Sequence, residues 1–72
     1  MSSFTVYEET QIGGKYVSAV RMYESNVDEI MYGVSIFDLD ELEETDFREC
    51  RKNELFDKYK TVCKELFEAL PY

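Results

Sequence analysis

The chain predicts an α+β domain, a three-stranded antiparallel β-β-β meander followed by a C-terminal helical half, and three observations carry that expectation. Residues 4–37 are dense in β-branched and aromatic types. That stretch is punctuated twice by turn formers, Gly13-Gly14 and Ser25-Asn26-Val27-Asp28. From Asp38 onward Asp, Glu, Leu, Lys and Phe take over, and the apolar residues fall three and four apart. At 72 residues the chain fits one domain, 1–72, with a thin core, because a chain of this size buries only about 60% of its unfolded surface.

The first strand is expected over residues 4–12, ending at Gly13-Gly14, where both positions tolerate the positive φ of a tight hairpin. The second runs over 15–24 and the third over 29–37, separated by the turn cluster at 25–28. Leu55, Phe56, Tyr59, Val62, Cys63, Leu66, Phe67 and Leu70 make one stripe roughly 140° wide, a helix laid on one face of the sheet, and Pro71 closes it. The stripe does not extend backwards, since Cys50 falls about 180° from Tyr59 and Phe47 about 120° away. A short helical segment is therefore expected near 39–44. The long helix restarts over 47–70, capped by Asp46 with Glu49 three residues on, or by Asn53.

Two-residue and four-residue turns sort the strand residues by face. One face collects Phe4, Val6, Ile12, Val17, Ala19, Tyr23, Ile30, Tyr32, Val34 and Ile36, the natural seat for the helix. The other collects Tyr7, Tyr16, Val20, Met22, Met31 and Phe37, diluted by Thr5, Ser18, Gly33 and Ser35. One amphipathic helix covers one face. The second group is then an interaction surface of several hundred Å², unless Leu39, Leu42 and Phe47 fold back over it or the register is displaced by one residue.

Sixteen acids against eight bases give a net charge of −8, which repels nucleic acid and anionic membranes and favours basic partners. The N-terminus lacks a basic and then apolar leader, and no run of about 18 apolar residues occurs, so a cytoplasmic protein is expected. The absence of His removes the commonest general base and metal ligand. Cys50 and Cys63, about 20 Å apart on a continuous helix, suit neither a disulfide nor zinc. Arg48, Arg51 and Lys52 beside Cys50 raise the idea of an acidified thiol, although a plain boundary thiol is the simpler reading. Residues 38–49 place acids at positions one, three, nine and twelve of a calcium loop, but Leu42 and Glu43 stand where a ligand and a Gly are needed. No phosphate-binding loop is present, and paired carboxylates without a cleft give no glycoside chemistry.

The expectation is thus a non-enzymatic acidic module that takes no metal or cofactor and touches neither nucleic acid nor membrane. It binds a protein partner or itself, as a homo-oligomer, through Tyr7, Tyr16, Met22, Met31 and Phe37. The alternative is an acidic inhibitor that mimics nucleic acid, blocking a basic site with Asp40, Glu41, Glu43, Glu44 and Asp46. Acids in that segment would also serve simply as favourable charge near a helix N-terminus.

Overall fold

The computed structural model describes residues 2–71, with side chains from residue 3. Strands β1 (Ser2–Ile12), β2 (Lys15–Glu24), β3 (Glu29–Asp38) and β4 (Glu43–Cys50) form one antiparallel sheet in the order β1-β2-β3-β4. A 3-10 turn at Lys52–Glu54 leads into the helix α1 (Leu55–Glu68). The Cα atoms span 45 × 27 × 15 Å, the thin dimension of one helix laid on one sheet. Among the described residues no helix is long and apolar enough to cross a membrane.

The α+β class holds, but the sheet has four strands where three are expected. The segments at 39–44 and 47–54 are not α-helical: residues 39–42 are a turn, and 43–50 are the fourth strand. The Glu-rich sequence of β4 favours helix over strand, yet tertiary pairing overrides that preference. Its odd partners explain why: Phe47 lays its ring over Gly33 on one side, while Cys50 packs against the core on the other. Alternation of that kind is incompatible with the helical stripe. The caps expected at Asp46 and Asn53 also do not form; Asp46 lies in β4, and the residue preceding α1, Glu54, caps it without a side-chain hydrogen bond.

The β3–β4 turn is held by Asp38. Its carboxylate accepts the backbone N–H groups of Asp40 and Glu41 at 2.8 and 3.0 Å and pairs with Lys15 at 3.3 Å. Those contacts, led by the Glu41 N–H, hold the Asp38 carboxyl below the usual carboxylate range. The acids of the calcium-like spacing are thereby strung along a hairpin, with Asp46 and Glu49 on opposite faces of β4.

Val17, Ala19, Val34 and Ile36 from the sheet and Leu55 and Val62 from α1 form the core, all at most 4% exposed. The helix begins beside Tyr7 and Tyr32 and ends with Leu70 against Gly13. It therefore lies over the hairpin half of the sheet. Ile12, Tyr32, Cys50, Tyr59, Cys63 and Leu66 close the core's margin.

Candidate functional site

Opposed residues in antiparallel strands share a face, so the register assigns every strand side chain to the helix side or to the open side. Four rows run across the open side: Gln11–Tyr16–Phe37–Glu44, Glu9–Ser18–Ser35–Phe47, Val6–Val20–Gly33–Glu49 and Phe4–Met22–Met31. Glu24 and Glu29 oppose one another at the far end, and with Met22, Met31 and Tyr23 they line a groove of about 280 Å³. Among the described residues no helix or loop lies over these rows.

Of the five expected contact residues, Tyr16, Met22, Met31 and Phe37 are brought together on this face, each half-buried. Tyr7 is not among them. The pairing slips between Val6 and Glu8, a bulge that puts one extra residue into β1, and the Tyr7 ring turns to the helix side, 6.4 Å from the Phe56 ring. The same bulge moves Phe4 and Val6 from the helix face, where strict alternation puts them, to the open face, 56% and 43% exposed. Nothing in Val6-Tyr7-Glu8 marks a bulge, because this kind needs no Gly.

The open face is partly closed from within. Phe47 crosses Gly33 so closely that a Cβ there would sit 2.5 Å from its Cζ atom, and Val20, between Val6 and Gly33, is fully buried. Ser18 and Ser35 are 8% exposed. Residues 38–47 therefore contribute one ring to this surface. The rest of that segment adds a strand at the sheet's edge.

The serines carry carboxylates. The Ser18 hydroxyl donates to Glu9 at 3.4 Å and the Ser35 hydroxyl to Glu44 at 3.1 Å. Ser18 and Ser35 are direct neighbours, with Cβ atoms about 5 Å apart, so the two carboxylates approach the middle of the face from opposite edges. Apolar groups stand on both sides of that polar row, Tyr16 and Phe37 on one and Val20, Met22 and Met31 on the other.

Charge divides the same way. Glu9, Glu24, Glu29, Glu44 and Glu49 occupy open-face positions, and none of the eight Lys and Arg residues does. Lys15, Arg21 and Arg48 share the face of Val17, Ala19 and Val34, and the other five bases lie between Arg51 and Lys64, in the 3-10 turn region and α1. Arg48 reaches Glu65 of α1 at 2.7 Å and Asp46 at 3.1 Å.

The expected acidic patch is dispersed rather than gathered: Asp40 and Glu41 sit in the turn, Glu43 begins β4, Glu44 turns to the open face and Asp46 to the helix side. Cys50 is not acidified. Burial first, then the charge of Glu54, pushes its thiol up, and burial likewise raises Cys63. Comparison with protein families, with curated proteins and with solved structures finds no match to this chain.

Proposed function

We propose that the protein acts by binding another polypeptide through the open face of its sheet, and that it is a module of recognition rather than catalysis. One observation carries this reading: Phe4, Val6, Tyr16, Met22, Met31 and Phe37 lie on the face opposite α1, in two groups that flank the Ser18–Ser35 row, with no covering element among the described residues. Met and aromatic side chains are the types enriched at the centre of protein interfaces. A mimic of nucleic acid would gather carboxylates 40–46 into a row, and their dispersal over a turn and two faces favours the apolar surface instead.

Affinity capture from the native host, repeated with a Met22→Ser/Met31→Ser variant, tests the reading. Partners should be lost from that variant and kept by Phe67→Ser, which alters an exposed ring on α1. Equal recovery by both would overturn it, provided circular dichroism shows both variants folded.

A further inference from the structure

The occupant of this face is specified by its chemistry, and the inference rests on the reading just given. We infer that the open face receives a cationic amphipathic helix of a partner protein, with Glu9 and Glu44 as the carboxylates that engage its Lys or Arg. Four strands span about 14 Å, close to the width of one helix with its side chains, about 10–12 Å. The face offers apolar groups on both flanks of a row in which two carboxylates converge on Ser18 and Ser35. A helix seated by a purely apolar face, as α1 is through Leu55 and Val62, would leave those carboxylates buried without a counter-charge. A helix bearing a cation at its centre supplies one, and the serine hydroxyls hold both acceptors in place beforehand.

Charge complementarity also separates this occupant from a second copy of the chain. Two such faces brought together would oppose five glutamates to five, with no base on either side. Glu24 and Glu29 extend the same preference to the groove lined by Met22 and Met31, which suits a long side chain with an aliphatic stem and a cationic end.

The probe is a helical peptide of about 18 residues, long enough for the roughly 20 Å of the four rows, with a Leu stripe flanked by Lys, and its twin with Glu in place of Lys. Amide shifts followed by nuclear magnetic resonance should move at Ser18, Met22, Met31 and Ser35 with the Lys peptide only. Glu9→Gln/Glu44→Gln keeps acceptors for both serines and should weaken binding about tenfold or more, as expected for lost charge-assisted contacts. Glu54→Gln/Glu68→Gln removes the same charge from the helical side and should weaken it less than threefold, as for distant screened charges.

Equal weakening by the two double variants would overturn the assignment to Glu9 and Glu44. Binding of both peptides at the open face, abolished by Met22→Ser/Met31→Ser, would overturn the cationic partner while leaving the open face as the binding surface. A dimer in sedimentation that those Met substitutions dissociate would make the occupant a second copy, with the same consequence. Shifts confined to α1 or to the turn at 39–42 would overturn both inferences together.

Discussion

The helix-covered face and the open face are made from the same strands, and each contains a fully buried valine in β2, Val17 on one and Val20 on the other. What separates them is the centre. Around Val17 stand Ala19, Val34 and Ile36, side chains with nothing to hydrogen-bond and little height, over which Leu55 and Val62 settle to at most 2% exposure. Around Val20 stand Ser18, Gly33 and Ser35, with carboxylates held by the two hydroxyls. Large apolar residues are as plentiful on the open face. They form its flanks, however, and an intramolecular helix seated there would bury Glu9 and Glu44 at a cost of several kcal/mol for each unpaired charge. Polarity at the middle, not total apolar content, decides which face the chain's own helix takes.

Removing Leu55 should produce the largest effect. Leu55→Ala should cost about 2–5 kcal/mol, the range for buried Leu truncations, against a total stability of about 3–5 kcal/mol for a domain this small. Urea unfolding should find that variant largely unfolded, whereas Met31→Ala, half-buried on the open face, should lose about 1 kcal/mol. Equal losses would erase the distinction between a core side and a binding side.

Next comes Gly33, the point where the open face closes upon itself. A Cβ at this position would lie 2.5 Å from Phe47 Cζ and 2.7 Å from the carbonyl oxygen of Arg48. The ring could swing away, but the carbonyl belongs to the β4 backbone. Gly33→Ala should therefore cost about 1–3 kcal/mol, as overpacking generally does, and should accelerate hydrogen exchange in β4. Phe47→Ala should not rescue it. Full rescue would mean that the ring alone sets the spacing of β3 and β4.

Much of this division is legible in the amino-acid sequence. The Gly13-Gly14 hairpin, the first three strands and the apolar stripe of α1 follow from turn residues and periodicity, which are local properties. Two features were not local. β4 reads as helix because Glu43, Glu44 and Glu49 favour helix and no β-branched run opposes them; its clue was the failure of Phe47 and Cys50 to join the stripe, which signals alternation as readily as a helical break. The bulge at Tyr7 has no sequence signature at all. It transfers Phe4 and Val6 to one face and Thr5 and Tyr7 to the other, so a strictly alternating strand yields the open face with two wrong members and two missing.

The helix-covered face also has an electrostatic signature, smaller than the packing effects and confined to alkaline solution. The register set by the Gly13-Gly14 hairpin places Glu8 opposite Ala19, on the helix side, where its charge acts on Tyr59. Burial is the main cause that pushes the Tyr59 phenol up to about 12, followed by the neighbouring Cys63, then Glu8 and Glu9. An acid whose folded value lies above its unfolded value favours folding while protonated. Its contribution is complete below the unfolded value of about 10 and disappears as pH climbs through about 12. Thermal unfolding scans should thus show a melting temperature that declines between these values, and Tyr59→Phe should reduce that decline. Glu8→Gln removes a nearby negative charge and should lower the phenol's titration midpoint slightly, read from its ultraviolet absorbance. A midpoint unmoved by Glu8→Gln would place Glu8 away from Tyr59, and with it would fall the pairing with Ala19 that puts this end of β1 on the helix side.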